Sequence, residues 1–259
     1  MNLMMRIEDL SKNFGGIKAI DDVSFSINDG EMLGVIGPNG SGKTTLINIA
    51  TGIYRCSGGK IYFNSQDITK LKTHDVVRKG ISRTFQGIRI FNDLTVIESV
   101  ITGMHIQSEA GLFSSLMNSK SKHADDLNLL GKAEEMLQFT GLIQLKDKIA
   151  KNLTLKHKQL LALAIALAPT PQLIFLDEPT AGLVSHEKDE FLTLFRRVRD
   201  NGITVVIVEH DMRVIMNMCE RIVVLNSGKK IAEGTPSEVC NNPDVQKAYL
   251  GCEFTGVKT

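Results

Sequence analysis

Eight consecutive residues, Gly37-Pro38-Asn39-Gly40-Ser41-Gly42-Lys43-Thr44, combine three glycines with a closing Lys-Thr pair. Glycines let a backbone curl until successive N–H groups point at one anion, and the N-terminus of a following helix adds a favourable dipole. In this pattern Lys43 reaches the β- and γ-phosphates of a nucleotide and the Thr44 hydroxyl ligates magnesium. The phosphate-contacting set therefore runs from Gly37 through Thr45, and the chemistry it points to is that of ATP with Mg2+.

A second group completes that chemistry. Leu173-Ile174-Phe175-Leu176 is an apolar run that delivers Asp177 and Glu178 at its end. Ligands of open α/β sheets bind at the carboxyl ends of strands. There Asp177 holds magnesium, directly or through water, and Glu178 orients and deprotonates an attacking water. Elsewhere such an acid pair would be a solvated helix cap. Its place after four apolar residues, in a chain with a phosphate loop, favours the site. A third apolar run, Val205 to Val208, ends in Glu209-His210-Asp211, which makes His210 a candidate sensor of the γ-phosphate.

These groups need strands and helices to hold them. Leu33 to Ile36, Leu173 to Leu176, Thr204 to Val208 and Ile222 to Leu225 are short continuous apolar runs, the pattern of parallel strands covered on both faces. Ile20 to Ile27 and Lys60 to Phe63 alternate near Asp-Gly and Gly-Gly turns, the pattern of an antiparallel flank. Thr45 to Thr51 reads as the helix that follows the loop, with Gly52 at its C-cap. From about Asn92 to Ala168 the strand signal fades, and the apolar spacing of Ala133, Met136, Leu137 and Phe139 suits one face of a helix. The polar stretch Ser114 to His123 reads as a solvated loop, and Pro236 and Pro243 each open a tail helix, the last capped by Gly251. The fold class is α/β: a P-loop NTPase core with a mixed, mostly parallel sheet, an antiparallel β flank and an inserted helical subdomain. Residues 1–91 and 169–259 make the nucleotide-binding core and 92–168 the helical subdomain of a single domain.

Composition narrows the partners. Thirty Lys+Arg against 29 Asp+Glu leave a net charge of +1, so no overall field draws the chain to nucleic acid. Cys56, Cys219, Cys240 and Cys252 have neither zinc-ligand nor C-x-x-C spacing, which fits a reducing, cytoplasmic compartment. Arg6, Glu8 and Asp9 interrupt the start, against a signal peptide. The apolar run Leu160 to Ala168 stops at Pro169, far short of the roughly 20 residues that span a bilayer.

Across nearly its whole length the sequence resembles an ABC-transporter ATPase subunit, and within that family the branched-chain amino acid importer group. The P-loop, Thr84-Phe85-Gln86 as the Q-loop, Phe175-Leu176-Asp177-Glu178-Pro179 as Walker B and Glu209-His210-Asp211 around the switch histidine carry the general resemblance. Arg83-Thr84-Phe85-Gln86, Phe91-Asn92-Asp93-Leu94-Thr95-Val96, Gly111-Leu112-Phe113-Ser114 and the tail Asn242-Pro243-Asp244-Val245 to Tyr249-Leu250-Gly251 carry the subgroup. The resemblance implies that Phe14 stacks on adenine, where the residue alone would as readily be core. It also implies that Gln86 touches the magnesium or the attacking water, and that two ATPase subunits, identical or different, sandwich two nucleotides. Further implied partners are membrane permeases and, indirectly, an extracytoplasmic solute-binding protein. The expected place is peripheral, on the cytoplasmic face of the inner (plasma) membrane. ABC proteins acting on ribosomes or DNA usually carry two cassettes or long coiled-coil insertions, and this chain shows neither.

One segment departs from the family. Where the signature normally reads Leu-Ser-Gly-Gly-Gln, this chain has Leu153-Thr154-Leu155-Lys156-His157. Leu155 and Lys156 obstruct close approach to a partner's ATP, or Lys156 supplies a full charge to its γ-phosphate in place of a backbone donor. Lys151, Lys156 and Lys158 crowd the expected N-terminus of the next helix, where cations are unfavourable. Ala181-Gly182-Leu183 continues into Val184-Ser185-His186 where the family usually has a polar or acidic residue after the leucine. Two functions follow as expectations: an ATP-hydrolysing subunit that energises import, or a low-turnover nucleotide-binding regulatory or structural subunit.

Overall fold

The computed structural model describes residues 2–84, 91–104 and 119–249, and the backbone alone for 119–127. The first part of the chain holds β1 (Leu3–Phe14), β2 (Ile17–Asn28), β3 (Met32–Ile36), α1 (Lys43–Ala50), β4 (Gly58–Phe63), β5 (Gln66–Asp67), α2 (Thr73–Arg78) and β6 (Ile81–Arg83). Among the described residues three α-helices follow, α3 (Val96–Met104), α4 (Ser119–Thr140) and α5 (Leu155–Leu167), with two short 3-10 turns between α4 and α5. The chain then returns through β7 (Leu173–Asp177), α6 (Ser185–Asp200), β8 (Thr204–Val208), α7 (Met212–Met218), β9 (Arg221–Asn226), β10 (Lys229–Gly234), α8 (Pro236–Cys240) and α9 (Pro243–Tyr249).

The central sheet runs β10-β9-β3-β8-β7-β6, parallel throughout except for the β9–β10 hairpin. The smaller sheet, β2-β1-β4-β5, is antiparallel. Every residue of β3, β7 and β8 is buried, as expected of strands covered on both faces. Because successive side chains point to opposite faces, the strands divide their residues between two cores. Met32, Ile174, Leu176, Val205 and Ile207 pack with α5, α6 and α7. Leu33, Leu173, Phe175, Val206 and Val208 pack with α1 and the antiparallel flank.

Between β6 and β7 the described residues hold helices and no named strand; one isolated bridge joins Thr95 to Ile149. Thr95 and Glu98 cap the start of α3 reciprocally: the Thr95 amide donates to Glu98 Oε2 at 2.8 Å and the Glu98 amide to Thr95 Oγ1 at 3.3 Å. Ala133 and Leu137 of α4 are buried and Met136 and Phe139 pack against them, as their spacing predicts. One expectation is corrected here. Ser119 to His123 lie inside α4 rather than in a loop, because a 22-residue helix already fixed by its packed C-terminal half can carry a polar first turn. Residues 114–118 of that stretch, and the Gly111 to Ser114 motif, lie outside the described residues, as does Gly251. Both proline-initiated tail helices form. Among the described residues no helix is long and apolar enough to cross a membrane.

Candidate active site

The ends of β3, β8 and β7, neighbours in the sheet, bring the sequence-predicted groups together. After β3 the chain turns through Gly37 to Gly42 into α1. Two glycines are required by contact: a Cβ on Gly37 would lie 2.2 Å from the Leu225 carbonyl oxygen, and one on Gly42, whose φ is +106°, would lie 2.6 Å from the Ala19 carbonyl oxygen. The helix ladder opens with the Leu46 amide donating to Gly42 O at 2.8 Å. The amides of Lys43, Thr44 and Thr45 thus precede it, in the position that a helix offers to an anion. Pro38, Asn39 and Gly40 form the outer rim, with Asn39 and Gly40 exposed.

Lys43 is buried, and its ammonium donates to Gly37 O at 2.7 Å and Pro38 O at 3.0 Å. Burial draws its pKa down, while Glu178 and Asp177 oppose the shift. Among the described residues neither Ser41 Oγ nor Asp177 Oδ1, both buried, has a hydrogen-bond partner. Asp177 ends β7 with 3% of its surface exposed, its amide donating to Thr84 Oγ1 at 3.1 Å and its Oδ2 accepting from Arg83 Nη2 at 3.0 Å. Burial pushes its carboxyl pKa up; Arg83 works against that, Glu178 adds to it and Lys43 opposes it. A buried carboxylate oxygen without a partner among the described residues, in a chain whose Thr44 stands in the first turn of the helix after the loop, fits Mg2+, which takes one or two carboxylates and otherwise keeps phosphate and water ligands. Thr44 and Asp177 Oδ1 are the groups that could hold it.

Glu178 sits at φ +48°, an uncommon conformation for a side chain of this kind, and its amide donates to Val208 O at 2.8 Å. His210 Nδ1 lies 3.9 Å from Glu178 Oε1, facing it without a hydrogen bond, and the imidazole is 62% exposed. Gln86 lies outside the described residues, which end at Thr84 on that side. Phe14 stands at the tip of the β1–β2 hairpin, 43% exposed, edge-on to Tyr54 with ring centres 5.4 Å apart and with Lys12 Nζ 4.8 Å from its ring. An exposed ring at this hairpin is not a core residue.

Two residues that hold parts of the site together escaped the sequence reading. Arg83 entered only as part of a motif, and Glu209 only as a neighbour of His210. Glu209 is buried, its Oε1 accepting from the Thr180 amide at 3.1 Å and hydroxyl at 2.6 Å, and its Oε2 from the His210 amide at 3.1 Å. It ties the loop after β7 to the end of β8. Glu209→Ala leaves two buried donors of Thr180 unsatisfied, about 1–3 kcal/mol each. The melting temperature of the purified chain is expected to fall by several degrees, at about 2–4 °C per kcal/mol.

The signature-like segment opens α5. Thr154 is the N-cap, its hydroxyl accepting from the His157 amide at 3.4 Å and lying 3.0 Å from His157 Nδ1. Lys156 Nζ pairs with Glu190 of α6, and Leu155 is exposed. No acidic residue stands in the first turn. Of the three cations expected to crowd there, Lys156 and Lys158 stand in the first turn, Lys156 paired with Glu190, while Lys151 lies before the N-cap and pairs with Asp93 at 3.5 Å.

Residues 20–181 match the ABC transporter family. The chain belongs to the ABC-transporter ATP-binding family. Residues 229–253 of this cassette also match the family described as branched-chain amino acid ATP-binding cassette transporter. The cassette is 36% identical over 249 residues to the high-affinity branched-chain amino acid transport ATP-binding protein LivG of Escherichia coli, covering 96% of this chain and 98% of that one. Among solved structures, an ABC-transporter cassette in its ADP conformation superposes with a TM-score of 0.84 at 32% identity, covering 97% of this chain and all (100%) of that one. A dimeric cassette in a post-hydrolysis state with ADP and phosphate bound gives a TM-score of 0.77 at 26% identity, covering 90% of this chain and 99% of that one. Cassettes of this family are nucleotide-binding ATPases that work as dimers within transporters.

Proposed function

We propose that this cassette hydrolyses MgATP at a site shared with a second ATPase subunit and thereby energises import of branched-chain or related amino acids. The observation that carries the proposal is the meeting of Lys43, Asp177, Glu178 and His210 at three adjacent strand ends in a chain whose relatives are named for branched-chain amino acid transport. Gly37 to Thr45 receive the phosphates and Lys43 offsets their charge. Thr44 and Asp177 would hold magnesium, which supplies electrostatic stabilisation of the transferring phosphoryl group. Glu178 takes a proton from water as its oxygen bonds to the γ-phosphorus and the bond to the bridging oxygen breaks. His210 would meet the γ-phosphate, Gln86 the metal or the water, and Phe14 the adenine. Residues 92–168 form the helical subdomain through which the membrane permeases are addressed. The subunit then sits peripherally on the cytoplasmic face of the membrane, with a solute-binding protein on the far side.

The segment offered to the partner's nucleotide is the weak half. Leu155 and Lys156 replace residues that would let backbone approach phosphate, and Lys156 is engaged by Glu190. The dimer is therefore asymmetric in this reading: this chain's own site is competent, and the one completed by Leu153 to His157 is impaired. ATP turnover of the reconstituted complex with Glu178→Gln, compared with the equivalent change in the partner, tests it. Unequal losses are expected, and equal losses refute the asymmetry. Turnover that stays at background in the full complex would instead establish a regulatory role. Lys156→Gly is expected to raise turnover of the complex several-fold, and an unchanged rate would show that the lysine is no obstacle.

A further inference from the structure

Arg83 is the last residue of β6, opposite Phe175 of β7, and its side chain is 6% exposed. Its guanidinium is spread over separate pieces of the site. Nη2 donates to Asp177 Oδ2 at 3.0 Å, Nη1 to Asn48 Oδ1 at 2.5 Å and to Thr51 Oγ1 at 3.4 Å, and Nε to Thr84 O at 3.4 Å. Asn48 belongs to α1 and Thr51 is its C-cap, and Thr44 stands in the first turn of the same helix. One buried cation thus bolts the helix that carries Thr44 to the strand end that carries Asp177. With Oδ2 taken by Arg83, the acceptor left on Asp177 is Oδ1, buried and without a partner among the described residues.

We propose that Arg83 is a positioning residue for the metal: it fixes the rotation of the Asp177 carboxylate so that Oδ1 faces the magnesium position, and it sets the distance between Asp177 and Thr44. The proposal rests on the reading of Asp177 and Thr44 as metal ligands. The planar fork of arginine suits the task, since it meets the carboxylate, the amide and the hydroxyl at once, whereas a lysine presents a single ammonium. A purely structural staple between β6 and α1 would not distinguish metal-loaded from metal-free nucleotide, and that difference is measurable.

The test is equilibrium binding of a fluorescent ATP analogue to the purified full chain, once in Mg2+ and once in EDTA. The wild-type chain is expected to bind more tightly with Mg2+. Arg83→Gln is expected to remove about tenfold of that gain, the size of one charge-assisted hydrogen bond, while affinity in EDTA stays within about twofold. Arg83→Lys restores part of it. Asn48→Ala, which leaves the Asp177 contact in place and loosens the tie to α1, is expected to lose a smaller part, and it serves if Arg83→Gln does not fold. Equal losses in both buffers, or a full gain retained in either variant, would overturn the role of Arg83. A wild-type chain that gains nothing from Mg2+ would overturn the metal reading itself.

Discussion

Replacing Glu178 with glutamine is expected to cut ATP turnover of the assembled transporter by about 10²–10⁴-fold, the usual contribution of a positioned general base. The geometry makes this a clean change. Glu178 follows the buried β7 directly, its backbone is held by Val208, and among the described residues its side chain has no short hydrogen bond whose loss would disturb folding. Glutamine keeps size and polarity and removes only the capacity to accept a proton. Binding of ATP should therefore survive. Steady-state phosphate release and ATP affinity, measured on the same preparation, check both halves. A rate within tenfold of the parent would mean that the proton goes elsewhere.

Lys43→Met should act on the other side of the cycle. The ammonium is buried and donates to two loop carbonyls, and phosphate oxygens would compete with them for it. Hydrogen bonds to charged groups contribute about 1.5–3 kcal/mol, so ATP affinity should drop by about 10–100-fold. The ligand-free chain should not suffer equally. Burial already lowers the pKa of Lys43, so the folded state disfavours its charge relative to the unfolded chain, in spite of Asp177 and Glu178 nearby. The melting temperature without nucleotide should hold or rise. Calorimetric titration and a thermal melt together decide it; unchanged affinity would remove Lys43 from the phosphate site.

Much of this was open to reading in the chain itself. The apolar runs of β3, β7 and β8 are continuous because both faces are covered, and the loop from Gly37 to Lys43 uses residue types that few other backbones need. Catalytic candidates stood out because they end such runs. What stayed hidden depends on partners remote in sequence. Arg83 meets Asp177 across 94 positions, Glu209 meets Thr180 across 29, and Lys156 finds Glu190 across 34. A local pattern carries no trace of such a partner. The polar start of α4 misled for a related reason: helix length was decided by Ala133, Leu137 and what they pack on, not by the composition of Ser119 to His123.

The central sheet also works as a dividing wall. Val205 and Val206 are adjacent in sequence, yet the first belongs to the compartment of α5 and α6 and the second to that of α1 and the antiparallel flank. The same holds for Ile174 and Phe175, and for Met32 and Leu33. Each chamber can therefore be tuned by its own set of alternate residues: one parity addresses how the chain grips its own nucleotide, the other how it presents Leu153 to His157 outward. The asymmetry proposed above would then require changes in only one of the two chambers.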